Sequence, residues 1–197
     1  MADGQDAVKA AGWPDSAFWT FSVDLYDRPG VEAACLALQD RRGLNVNLLL
    51  FALWLADCGV ALDQPTLARA NAAVASWQAE IIDPLRGVRL QLRDRIADAD
   101  SDGIAGQWPR QTKALRQAIL AIELDGEHLA QLALGRLGDQ LKPSRQASAK
   151  LAGDNLASLG MFEEEDRGDL ANLIKQVFPD ARPAHLEAVL DRVFSET

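Results

Sequence analysis

Apolar positions recur at steps of three and four along almost the whole chain, the spacing of helices that each bury one face. Ser16 is placed to cap a first helix running through Asp27, with Phe18, Phe21, Val23 and Leu25 beside Trp19 and Tyr26. Pro29 and Gly30 then break it. A second helix from about Val31 to Arg41 carries Val31, Ala34, Cys35 and Leu38 on one stripe, and Gly43 suits its C-terminal cap. Asn45 is a good N-cap for a third, with Leu44 and Leu49 in position for a hydrophobic staple. That helix is apolar nearly all round, so residues 46–57 are expected at the centre with the other elements packed against them. Its uninterrupted apolar run, Leu48 to Ala56, has nine residues, well short of the roughly 20 that cross a bilayer.

A fourth helix is expected from Asp63–Pro65 to about Ile82. Asp83-Pro84 then reads as an N-cap followed by proline at the first position of a fifth, with a kinked continuous helix as the alternative. The fifth helix would turn Leu85, Val88, Leu92 and Ile96 inward and set Arg86, Arg89 and Arg93 along another face. From Pro109 the longest periodic segment places Leu115, Ile119, Ile122, Gly126, Leu129, Ala133 and Leu137 on one stripe; as far as residue 134 it would extend roughly 39 Å. Gly135, Gly138 and Pro143 weaken it. The expected organisation is therefore a flexible N-terminus (1–15), an all-α single helical bundle (16–141), a linker (142–155) and an acidic C-terminal two-helix appendage (156–197). No internal repeat of solenoid period is present.

Composition agrees with the all-α reading: 62 of 197 residues are Ala or Leu and only 21 are Val, Ile or Thr. A net charge of −9 disfavours nucleic acid and anionic membranes as general partners. Cys35 and Cys58, the only cysteines, lie in apolar helical contexts and read as reduced core residues. Asp3 and Asp6 stand where a secretory signal would be basic, so a cytoplasmic location is expected.

The block FWTFSVDLYDRPGVEAACLALQDRRGLNVNLLLFALWLADCG, Phe18 to Gly59, resembles the opening of an uncharacterised proteobacterial family of helical domains of unknown function. SWQAEIIDPLRGVRLQLRD and AIELDGEHLAQL are similar to that family's middle and end, so the resemblance covers about residues 16–134. It implies a cytoplasmic bacterial protein and carries over no catalytic residue. From residue 142 onward the chain departs from the pattern.

Several residue groups could carry chemistry. Asp98, Asp100 and Asp102, followed by Gly103, match the first half of a calcium loop, but Pro109 occupies the position of the bidentate Glu, which favours a plain acidic interhelical loop. Asp125-x-x-His128 with Glu123 nearby imitates one half of a di-iron site whose second half is missing. Asp94-x-x-x-Asp98 has only an approximate partner in Glu165-x-x-x-Asp169 for a magnesium-diphosphate motif. Arg86, Arg89 and Arg93 converge on one helix face: they either grip a phosphate or an acidic partner, or pair with Glu80, Asp83, Asp94 or the acidic stretch Glu163 to Asp166 docked upon them. Trp19, Tyr26, Trp54 and Trp77 with Gln39, Asp40, Asn47 and Glu80 either line a mixed pocket or satisfy one another in the core.

No cofactor is implied. A helical bundle without a recognisable nucleophile, metal set or phosphate loop reads as a non-enzymatic interaction or adaptor protein with a protein partner. The alternative is an enzyme binding a small molecule or phosphate through Arg86 and Arg89, with Asp40 or Glu80 as acid or base. Oligomeric state is not legible.

Overall fold

The computed structural model describes residues 12–98, 103–160 and 162–195. Among them the regular elements are all helical: α1 (Ala17–Tyr26), α2 (Val31–Arg42), α3 (Val46–Asp57), α4 (Gln64–Trp77), a π-helical turn (Gln78–Ile82), α5 (Asp83–Ala97), α6 (Ile104–Gln107), α7 (Pro109–Gly138), α8 (Ala149–Ala157), a 3-10 turn (Glu164–Asp166), α9 (Arg167–Val177) and α10 (Pro183–Ser195). The caps are largely those expected. Ser16 accepts from the Trp19 N–H and Asn45 from the N–H groups of Asn47 and Leu48. Gly43 ends α2 in the left-handed region at φ 63°, which glycine adopts without a Cβ clash.

The chain forms two compact units, residues 16–73 with 131–197, and residues 1–15 with 74–130. They are called here the core unit and the hairpin unit. In the core unit, ten of the twelve α3 residues, Asn47 through Ala56, are buried, as its all-round apolar sequence requires. Phe18, Phe51 and Trp54 form an aromatic cluster beside it, with ring centroids 5.2–5.9 Å apart.

The segment after residue 142 is not an appendage. Helix α8 packs on α3 and on α10, and α9 packs on α2. Leu151, Leu156, Leu170, Leu173, Ile174 and Leu190 are all buried. The stretch that reads as a linker is pinned by two bonds from the N–H groups of Ser144 and Arg145 to the carbonyl of Gly59, each 3.0 Å. A Cβ on Gly153 would come within 2.2 Å of Val189 Cγ1, so this glycine sets how closely α8 and α10 approach. Its sequence signal was misleading because small residues serve close packing as well as flexible linkers. Cys35 is buried as expected, and burial, with Asp169 nearby, pushes its thiol up to about 12. Cys58, expected in the core, is exposed at the C-cap of α3.

The hairpin unit is built differently. At Asp83-Pro84 the helix continues instead of restarting. The π turn carries the chain through, with the Asp83 N–H bonded to the Gln78 carbonyl five residues back. Pro84 lacks an N–H and its ring crowds the carbonyl four residues earlier, so the wider turn relieves both demands. Helix α5 buries no residue at all. Leu85, Leu92 and Ile96 are only half-buried, and Val88 is exposed. On α7 the buried positions in this unit are Thr112, Glu123, Gly126, His128 and Ala130. Leu115, Ile122 and Leu129, expected on its inner stripe, are exposed. Gly126 is on that stripe as expected: a Cβ there would lie 3.4 Å from Ile82 Cγ1, and the Trp77 Nε1–H donates to its carbonyl at 2.9 Å.

Candidate functional site

The acidic stretch of the C-terminal region has a clear seat within the core unit. Asp166 is fully buried and accepts from Arg41 Nε (2.9 Å) and Arg42 Nε (2.8 Å). Arg41 also holds Asp169 at 2.5 Å, and Arg42 reaches Glu163 at 3.1 Å as well as Glu165. The Asp166 carboxylate closes a capping box with the Glu163 N–H. Burial pushes this carboxyl up, but the Glu163 N–H and the two guanidinium groups outweigh it and hold it below the usual carboxylate range. The stretch Glu163 to Asp166 is thus docked on Arg41 and Arg42, not on the Arg86/Arg89/Arg93 face. The adjacent arginine pair ending α2 is its sequence signal, because one helix turn presents both to a single carboxylate.

Asn155, another residue that sequence reasoning passed over, is buried in the same unit. Its Nδ2 donates to the carbonyls of Ala52 and Val60, each at 3.0 Å, and its Oδ1 accepts from the Leu62 N–H at 2.8 Å. It satisfies the backbone where α3 ends, which is a structural task.

The mixed aromatic and polar group is divided between the units. Trp19, Tyr26, Asp40, Asn47 and Trp54 belong to the core unit, Trp77 and Glu80 to the hairpin unit. Trp19 and Tyr26 are half-buried, Asp40 and Glu80 are exposed. Asn47 is buried and accepts from Gln131 Nε2 at 2.9 Å, the satisfied-core arrangement. Asp98 is the C-cap of α5, its N–H bonded to the Asp94 carbonyl, while Asp100 and Asp102 lie outside the described residues. His128 is buried and stacks on Trp13 with centroids 4.5 Å apart. Burial lowers its pKa while Asp125 opposes the shift.

The arginine stripe occupies the hairpin unit, and its members have different fates. Arg86 reaches Glu123 Oε1 at 3.1 Å and Glu127 Oε1 at 2.7 Å, with Asp83 at 3.7 Å. Arg89 grips Glu123 with two nitrogens, at 2.5 and 3.1 Å. Glu123 is buried, and its hydrogen bond holds the Arg89 guanidinium above its ordinary pKa. These two arginines are neutralised from α7, by partners that sequence spacing could not reveal because they come from 34 to 41 residues away. Arg93 is different. It is exposed, pairs with neighbouring Asp94 at 2.9 Å, and lines a hollow of about 300 Å³ with Ile96, Lys113, Arg116 and Gln117.

The unit also displays apolar surface. Trp108 (57% exposed) precedes Leu115 (53%), Ile122 (55%) and Leu129 (42%) at steps of seven. At 3.6 residues per turn Leu115, Ile122 and Leu129 nearly superpose and form one stripe along α7, with Trp108 just before the first residue of that helix. Gln111, Ala114, Ala118 and Ala121 are exposed beside it and add no charge, while Asp125 on the same flank adds one carboxylate.

The chain matches the family described as a protein of unknown function (DUF2390) over residues 17–134, and it belongs to that family. No curated protein matches it, and no solved structure does. The matched region ends within α7, so the helices that complete the core unit, α8 to α10, lie beyond it.

Proposed function

We propose that this DUF2390 chain is an interaction protein whose hairpin unit receives an apolar helix of a protein partner along the outer face of α7. The observation that carries the reading is the stripe Leu115, Ile122 and Leu129, spaced by seven and exposed on a helix whose neighbour α5 buries nothing, with Trp108 exposed just before that helix. An amphipathic helix needs a second layer, and this unit has only a thin one. From Leu115 to Leu129 the stripe is about 21 Å long, the reach of four helical turns. Its borders decide the partner's chemistry. Ala118 lies one turn from both Leu115 and Ile122, with Ala114 and Ala121 extending the small, uncharged surface, and the exposed Asp125 lies one turn from both Ile122 and Leu129. Between Leu115 and Ile122 a charged partner face would lose its hydration without gaining a counterion, so the matching surface there is an uncharged helix face with large apolar side chains at heptad spacing, followed by a donor or cation opposite Asp125.

Photo-crosslinkers placed singly along α7 in the full chain, in cells, test this. The expected result is one common adduct from positions 111, 115, 118 and 122 and none from 113 and 117. The adduct should map to an amphipathic helix of another protein and vanish in a Leu115→Asp/Ile122→Asp variant with unchanged helicity. Adducts that map to a second copy of the chain, that form equally from every position, or that persist in the double variant would overturn the proposal.

A further inference from the structure

The hollow at Arg93, Lys113 and Arg116 supports an inference separate from the docking stripe: we propose that it binds a phosphomonoester, with the dianionic phosphate held by the three cations and a small organic group against Ile96. The first ground is charge. In a chain of net charge −9, residues 84–97 and 109–117 carry seven basic side chains and one acidic one. Two of the seven, Arg86 and Arg89, are engaged by Glu123 and Glu127, and Arg93 meets Asp94. Lys113 and Arg116 have no ion pair with any described residue, and the first acidic residue of α7 is Glu123, nearly two turns beyond Arg116. The same two helices thus supply internal carboxylates for Arg86 and Arg89 and Asp94 for Arg93, and none for Lys113 and Arg116.

The second ground is geometry. The Arg116 Nε is buried and has no hydrogen-bond partner among the described residues, a position a native protein rarely leaves unused for a charged donor. Gln117 adds a neutral amide and Ile96 an apolar wall, so the hollow combines cationic, amide and apolar surface within about 300 Å³. A phosphate dianion brings one more charge and one more acceptor oxygen than a carboxylate, arranged tetrahedrally, which suits donors that come from two helices. The arrangement therefore favours a dianion with an apolar substituent over a monoanion.

Calorimetric titration of the full chain with inorganic phosphate, phenyl phosphate and acetate, at matched ionic strength, tests the proposal. Phenyl phosphate is expected to bind more tightly than inorganic phosphate, and acetate not at all. Affinity should rise between pH 5 and 7.5, as the monoester loses its second proton near pH 6. Arg116→Gln and Lys113→Gln should each weaken binding about ten-fold, the loss of one charge-assisted bond, while Arg116→Lys retains part of it. Lys113 is exposed, so its variant reports binding without endangering the fold. Arg95→Gln should change nothing, and Leu115→Asp/Ile122→Asp should leave phosphate binding intact, which separates this inference from the docking proposal. Equal binding of all three anions, or unchanged affinity in both Lys113→Gln and Arg116→Gln, would overturn it.

Discussion

The core unit and the hairpin unit use similar helices to opposite ends. In the core unit α3 is buried along ten of twelve residues and helices from both ends of the chain pack against it. In the hairpin unit α5 buries nothing, and eight large apolar residues, Ile81, Val88, Ile104, Trp108, Leu115, Ile122, Leu124 and Leu129, are exposed. Stability and surface are therefore allocated separately: one unit spends its apolar residues on a core, the other displays them. Hydrogen exchange should divide along this line, with slow amides in α3 and α8 and fast ones in α5. Equal protection in the two would remove the distinction.

The largest expected effects fall in the core unit. Removing residues 142–197 takes away α8, α9 and α10 and exposes α3, so the truncated chain should lose its cooperative thermal transition altogether. Phe51→Ala, which opens the Phe18–Phe51–Trp54 cluster, should cost about 3–5 kcal/mol by denaturant unfolding. Asn155→Ala removes no large volume but leaves the Leu62 N–H and the carbonyls of Ala52 and Val60 without their partner. A loss of about 3 kcal/mol is expected, because each buried unsatisfied group costs about 1–3 kcal/mol. A truncated chain that still unfolds cooperatively would restore the reading of the C-terminal helices as an appendage.

In the hairpin unit the ladder of ion pairs from Arg86 and Arg89 to Glu123 and Glu127 matters more than the apolar residues. Glu123→Gln leaves Arg86 and Arg89 facing a neutral amide with little water around it, and should destabilise by about 2 kcal/mol, below the full cost of breaking a completely buried pair. A smaller effect follows from His128. Its folded pKa is lowered by burial, so the unfolded chain binds the proton more readily. The stability it contributes is fully present above its unfolded value of about 6.5 and is lost as pH falls from there through the folded value. Comparing urea midpoints at pH 7.5 and 5 should show a decrease that shrinks in His128→Asn. Asp166 works lower on the scale. Its depressed pKa contributes stability above the usual carboxylate value that is lost as pH falls through the folded one, so His128→Asn should leave any acid transition below the usual carboxylate range in place.

What the sequence reveals follows the same division. The caps at Ser16, Gly43 and Asn45 and the buried run of α3 were legible because each is written in adjacent residues. Gly126 was legible too, but the exposure of Leu115, Ile122 and Leu129 was not. An apolar stripe reports that a helix has a face to bury; it does not report whether this chain buries it. The same ambiguity hid the ladder. The spacing of Arg86 and Arg89 reads as a ligand clue, yet Glu123 and Glu127 meet them, whereas no motif in the sequence marks Lys113 and Arg116. Spacing identifies residues on one helix face, and only the packing of α5 on α7 decides which cations keep their charge unanswered.

The smallest expected effect is the one that sharpens the contrast most. Leu53 and Leu115 are the same side chain in comparable helices, one fully buried and the other 53% exposed. Leu53→Asp would place a carboxylate in the core with no cation to pair it, and the chain should fail to fold. Leu115→Asp and Ile122→Asp put theirs in water, so each should change stability by less than about 0.5 kcal/mol. If a helical partner covers the stripe, that near-neutrality applies only to the isolated chain. In the complex the same carboxylates would face an apolar surface, and binding should be lost although the fold is unharmed. A core residue couples stability and function, and a docking residue separates them. A large loss of stability from Leu115→Asp in the isolated chain would mean that α7 is packed on this side already, and the hairpin unit would then be a second core and not a displayed surface.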